Sequence, residues 1–147
     1  MNATVLPAAP KPASRVARYY EELAAGRLVG DRCASCGTIT FPSTGCCESC
    51  GSYDQEEMRL SGKGTLLFAS HNTAPACHPR FNPYAPYVYG HVMLEEGIPA
   101  QGIVQGLAGT PDVIRDLFER GPVPVVVDVL HTEDLPVIAF RLLEQQG

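Results

Sequence analysis

Hydrophobic and polar positions change their grammar near residue 60. Before it, apolar residues recur at helical spacing once and then thin out. After it, they gather in short runs rich in β-branched residues and broken by Gly, Pro and Asp. Segment 14–27, SRVARYYEELAAGR, places Val16, Tyr19, Tyr20 and Leu23 on one face, with Ser14 as a candidate cap and Gly26 as a stop. Segment 31–52 is polar and Gly-rich, with no period. From Leu60 the pattern predicts strands over 64–71, 86–97, 101–109, 123–130 and 135–143. A short helix over 110–121 interrupts them. Thr110 stands at its N-cap, Pro111 at N1 and Gly121 past its end, and Val113, Ile114, Leu117 and Phe118 form its apolar face. Five strands with one late helix fit a closed barrel of the OB type, whereas a sandwich needs more strands. The expected organisation is mainly β: a Pro-rich arm and helix over 1–30, a cysteine-rich segment over 31–57, and a five-stranded OB-fold barrel over 58–147.

Composition narrows the possibilities. At 147 residues, 45% of them hydrophobic and 18% charged, the chain suits a folded domain with its own core. The formal net charge of −5 argues against recognition of a phosphate backbone, although OB barrels and zinc ribbons both serve single-stranded nucleic acid and that remains the alternative function. No apolar run reaches the roughly 18 residues of a membrane span. The first residues, MNATVLPAAPKPAS, carry prolines where a secretion signal needs an apolar stretch, so a cytoplasmic location is expected.

Six cysteines in such a chain raise disulfides or metal. Four of them form two C-x-x-C pairs, Cys33–Cys36 and Cys47–Cys50. Two intervening residues let both thiolates of a pair turn onto one ion from a tight knuckle, with Gly37 and Gly51 just beyond. Ten residues separate Cys36 from Cys47, enough for a hairpin that brings the second knuckle to the first. Four thiolates suit tetrahedral zinc, with iron as the rival, and leave no position open for a substrate. Cys47 has the two-residue spacing to Cys50 and adjacent Cys46 does not, so Cys46 is a bystander.

These motifs carry a family resemblance. YYEELAAGRL at 19–28, CASCGTITFP at 33–42, CESCG at 47–51, SGKGTLLFASH at 61–71 and PYVYGHVMLEEG at 86–97 resemble the proteins that join a rubredoxin-like zinc ribbon to an OB fold and accompany acyl-CoA enzymes. The resemblance runs from about Tyr19 to Leu143. It implies a non-catalytic subunit of an acyl-CoA-processing, thiolase-like complex, which binds structural zinc and helps to hold coenzyme A or acyl-CoA. It extends to an expectation of anaerobic aromatic degradation through 2-benzoylsuccinyl-CoA. Ser43, Thr44 and Glu48 depart from the family pattern, which puts contacts from that stretch in doubt and leaves the thiolates untouched.

No catalytic set is legible. Cys77 and His78 are adjacent and point apart along an extended chain, which leaves His71 as the base that could approach from a strand. Otherwise His71, His91 and His131 read as strand-surface or satisfied polar residues rather than ligands, since cysteine already serves the zinc. The long segment 72–87 is the better candidate for ligand contact, since long loops in small domains are often functional. His78 and Arg80 suit a phosphate; Phe81, Tyr84 and Tyr87 suit an adenine or an acyl chain. Lys63 and Arg59 are further candidates for phosphate. The stripe Tyr19, Tyr20 and Leu23 suits either the chain's own core or a docking partner.

Overall fold

The computed structural model describes residues 15–76 and 78–143. Ser14, Cys77 and the N-terminal arm lie outside the described residues. Helix α1 spans Arg15–Ala24. Strands β1 (Val29–Cys33), β2 (Ile39–Thr40) and β3 (Gln55–Arg59) follow, then β4 (Lys63–Asn72), a 3-10 turn (Pro79–Tyr84), β5 (Tyr87–Leu94), β6 (Pro99–Gln105), helix α2 (Pro111–Glu119), β7 (Pro124–His131) and β8 (Pro136–Leu142).

Two sheets result. β1 lies between β2 and β3 in an antiparallel three-stranded sheet, and the remaining strands close a barrel in the order β4-β5-β6-β8-β7. β7 returns to β4 through Lys63↔Val126, Gly64↔Val125 and Thr65↔Pro124. The one parallel pair among them is β6 with β8, and α2 fills the connection between β6 and β7. That order, with the helix between the third and fourth strands, is the OB barrel expected from the pattern. Glycines permit the tightest approaches: a Cβ on Gly64 would stand 2.4 Å from the Met93 carbonyl oxygen, and one on Gly102 2.8 Å from that of Ile138.

Alternation works as a strand requires. β5 shows Val88, Val92 and Leu94 buried while its outward neighbours are half-buried or exposed. Phe140, Val125, Val104 and Leu66 complete the barrel interior, with Leu117 of α2 covering it. Leu23, Leu28 and Leu60 join the same cluster, so helix, ribbon and barrel share one core.

The helices depart slightly from expectation. Leu23 is fully buried, Tyr19 packs against the core and α1 lies on β8, β1 and β7, so these two stripe residues serve the chain's own core. Burial pushes the Tyr19 hydroxyl up to about 12, with the rings of Tyr20 and Tyr89 as neighbours. Val16, expected on that face, is 61% exposed at the first turn. Thr110 occupies the N-cap of α2 with extended backbone, yet its side chain makes no capping bond; its carbonyl accepts from Ile114 N instead. No helix among the described residues is long and apolar enough to cross a membrane.

Candidate metal centre and ligand loop

Two matched knuckles build the metal centre. Gly37 N donates to Cys33 O and Gly51 N to Cys47 O, at 2.9 and 3.0 Å. Cys33 N donates to Thr38 O and Cys47 N to Ser52 O, at 2.9 and 2.8 Å. Each knuckle thus reverses the chain within six residues, and glycine accommodates the positive φ at its end, 79° at Gly37 and 77° at Gly51. β1 holds the first knuckle in register, since Cys33 pairs with Gln55 of β3. Thr40 Oγ1, buried, accepts from Glu48 N at 3.2 Å and so ties the hairpin to the second knuckle.

The four sulfurs of Cys33, Cys36, Cys47 and Cys50 lie within 4.8 Å of one another. Cys33 Sγ is 3.6 Å from Cys50 Sγ, and Cys36 Sγ is 3.5 Å from Cys47 Sγ. Zinc–sulfur bonds of about 2.3 Å at tetrahedral angles put sulfurs about 3.8 Å apart, so the donor set fits zinc. Electrostatics agree. The backbone amide of Cys36 holds the Cys33 thiol down, to about 6. The Ser52 amide pulls on Cys50, but the crowding sulfurs of Cys33, Cys36 and Cys47 with burial push that thiol up to about 12. Four such sulfurs cannot all ionise side by side without a cation among them. Amides of Ser49 and Cys50 also point at Cys47 Sγ, at 3.3 and 3.4 Å. Cys46 is half-buried and outside the cluster.

The residues proposed for ligand contact do not all converge. Segment 73–86 carries the 3-10 turn. His78 caps it, its Nδ1 accepting from Arg80 N at 3.2 Å, and Asn82 Oδ1 accepts from Ala76 N at 2.7 Å. Phe81 sits 6.0 Å from the Tyr87 ring and 6.2 Å from that of His78. Arg80 pairs with Asp134, in the turn between β7 and β8, at 2.5 Å. Tyr84 is exposed on the same turn. Lys63 opens β4, nine residues before its end at Asn72, which puts it roughly 30 Å along the strand from this loop. One phosphate cannot bridge Lys63 and Arg80. Arg59 lies near buried Glu22 and holds that carboxyl down after Arg27 and Arg18 do.

Three buried polar side chains carry no signal in the pattern: Glu22, Asp31 and Thr40. Asp31 accepts a hydrogen bond from Ser43 Oγ, so the departure at Ser43 has a structural partner. Glu22 binds Arg27 at 2.5 Å and Arg18 at 2.9 Å, and Arg18 reaches Glu57 of β3 at 2.9 Å. This network straps α1 to the ribbon sheet. None of His71, His78, His91 or His131 hydrogen-bonds to a serine or cysteine among the described residues. His91 instead stacks on Phe68, with ring centroids 4.2 Å apart.

Residues 21–54 match the model of the ChsH2 rubredoxin-like zinc ribbon domain. One chain of a solved Ltp2-ChsH2(DUF35) aldolase superposes with a TM-score of 0.69 at 33% identity, covering 90% of this chain and 98% of that one. The chain belongs to the DUF35 family. Curated relatives match over part of their own length. A DUF35 domain-containing scaffold protein of Methanocaldococcus jannaschii is 38% identical over 51% of this chain and 52% of its own. A probable enoyl-CoA hydratase alpha subunit of Thermomonospora curvata is 34% identical over 90% of this chain but 39% of its own length. The benzoylsuccinyl-CoA thiolase subunit BbsA of Thauera aromatica is 30% identical over 56% of this chain and 55% of its own. The chain therefore spans between about two fifths and just over half of these curated relatives.

Proposed function

We propose that this DUF35 protein is a non-catalytic, zinc-bearing subunit of an acyl-CoA-processing complex whose catalytic chain is of the thiolase or aldolase type. Cys33, Cys36, Cys47 and Cys50 hold the zinc, and the cytoplasm is its location. The observation that carries this role is the match to a chain of the Ltp2-ChsH2(DUF35) aldolase across nearly all of both chains. Four thiolates around one ion leave zinc no open position, so the metal's work is to fold the ribbon.

Within that role, coenzyme A contact falls to the turn bearing His78, Arg80, Phe81 and Tyr84, where aromatic faces and a guanidinium stand together. Lys63 stands apart and serves, if at all, a different group of the ligand. A 2-benzoylsuccinyl-CoA substrate rests on the BbsA likeness over 83 residues. Co-purification with the catalytic chain, zinc analysis and turnover with and without this subunit form the test. The expected result is a stable zinc-containing complex and a catalytic chain that is impaired alone. Full turnover by the isolated catalytic chain sinks the proposal.

A further inference from the structure

β4 is ten residues long, but its two edges are treated differently. Toward β5 it is paired from Gly64 to Asn72. Toward β7 the pairing ends at Thr65, and one further bond, Leu66 N to Val123 O at 2.8 Å, closes it. Beyond Leu66 no backbone bond on that side exists among the described residues. Register shifts between Leu66 and Phe68, so a bulge there advances the alternation by one residue. Leu66 directs its N–H to the β7 side; counting through the bulge, Ala69 and His71 are the next residues whose N–H and C=O face the open edge.

This edge lacks the usual protections. Between Lys63 and Asn72 there is no charged residue and no proline, in a chain of net charge −5. Bulges and edge charges commonly keep such strands from pairing. Here the bulge does the reverse, leaving Leu67 and Phe68 both outward, 52% and 55% exposed. Where β7 leaves β4, Leu67, Met93, Pro124 and Leu143 give a shallow depression an apolar floor, with Lys63 and Glu95 also lining it. Unpaired backbone groups specify an extended strand as occupant, and the apolar depression specifies an apolar side chain on it. The chain's own first 14 residues suit this poorly, since Pro7, Pro10 and Pro12 remove three donors.

We infer that the free edge of β4, from Leu67 to Asn72, receives an extended, apolar segment of the catalytic partner as an added strand. The inference rests on the accessory-subunit role proposed above. Hydrogen–deuterium exchange resolved to single amides tests it, on the isolated protein and on its complex with the co-purifying catalytic chain. In the isolated protein, Ala69 and His71 amides exchange fast while Ser70, facing β5, is slow. In the complex, Ala69 and His71 slow by roughly 100-fold or more, as amides in a paired strand do. His71→Pro, which removes an edge donor from an exposed position, and Leu67→Lys weaken the complex, while zinc content and circular dichroism stay those of the wild type.

Several results overturn it. A complex that forms with Ala69 and His71 still exchanging fast puts the partner on another face and leaves the accessory role intact. Slow exchange in the isolated protein that depends on residues 1–14 gives the edge to the chain's own arm. Slow exchange that grows with concentration gives it to a second copy. A wild-type protein that forms no complex removes the accessory role and this inference together.

Discussion

The ribbon and the barrel meet in one core but are built from opposite materials. In the barrel, Val88, Val92, Val125 and Phe140 are fully buried, and β5 alternates strictly between buried and outward positions. In the ribbon, the residues out of water are Cys33, Cys47, Asp31 and Thr40, beside Val29. Apolar burial stabilises the first, at about 25 cal/mol for each Å² removed from water. The second has little of that to draw on, and its two knuckles converge on sulfur. One chain thus joins a unit held mainly by apolar burial to one whose sulfurs converge where an ion would sit.

Removal of the metal separates the two most sharply. Structural zinc contributes about 10–16 kcal/mol of apparent free energy in isolated zinc-finger peptides at neutral pH. Chelation, or Cys47→Ser, is expected to unfold the ribbon and release the amides of Gly37 and Gly51 to exchange. Barrel amides such as those of Val92 and Val104 are expected to keep their protection. Simultaneous loss of both sets, followed by exchange and mass spectrometry, would show that the barrel depends on the metal as well.

The reverse experiment acts on the barrel. Phe140 is fully buried among Leu66, Val125 and Val104 in the same cluster. Phe140→Ala leaves a cavity there and is expected to cost about 3–5 kcal/mol in urea unfolding. Zinc stoichiometry is expected to stay unchanged. A variant that loses its metal together with its stability would mean that the ribbon's geometry is imposed by the barrel rather than by its own knuckles.

The two regions also differ in how plainly the sequence announces them. C-x-x-C spacing is a local constraint, so the convergence of the four sulfurs could be anticipated from chain order alone. Strand alternation and the Thr110-Pro111 signal are local too, and the barrel strands fall within a residue or two of the runs that predicted them, save that 86–97 ends at Leu94 and 101–109 at Gln105. What escaped depends on contacts distant in sequence. Asp31 and Thr40 look like surface residues until the hairpin folds back on them. Lys63 and Arg80 are both candidates for phosphate in the sequence, and β4 sets them at opposite ends. The bulge at Leu66–Phe68 reads as an ordinary apolar run, because a register shift is a property of the pair and not of the strand.

The strap between α1 and the ribbon sheet, by contrast, is ionic, and its stability is expected to respond to pH. The Arg27 guanidinium holds the Glu22 carboxyl below the usual carboxylate range, and Arg18 and Arg59 add to the effect. A carboxylate lowered on folding contributes stability that is fully present above its ordinary value, about 4.3, and is lost as pH falls through its lower folded value. Melting temperatures from pH 7 down to pH 3 are therefore expected to fall more steeply for the wild type than for Glu22→Gln. Parallel curves would mean that the strap between α1 and the ribbon carries no pH-dependent stability.

The smallest effect is expected at the far side of the barrel, where Arg80 meets Asp134. Asp134 is held below the usual range by Thr132 Oγ1, with Arg80 adding attraction, yet it is well exposed and salt screens such a pair. Asp134→Asn should leave urea unfolding nearly unchanged, in contrast to Phe140→Ala. Its consequence is electrostatic, because it removes the carboxylate that occupies Arg80. If that turn contacts coenzyme A, titration of the complex with coenzyme A should show tighter binding for Asp134→Asn and weaker binding for Arg80→Ala. Unchanged affinity in both variants would take Arg80 out of the ligand site and leave its pair with Asp134 as a tie between two turns.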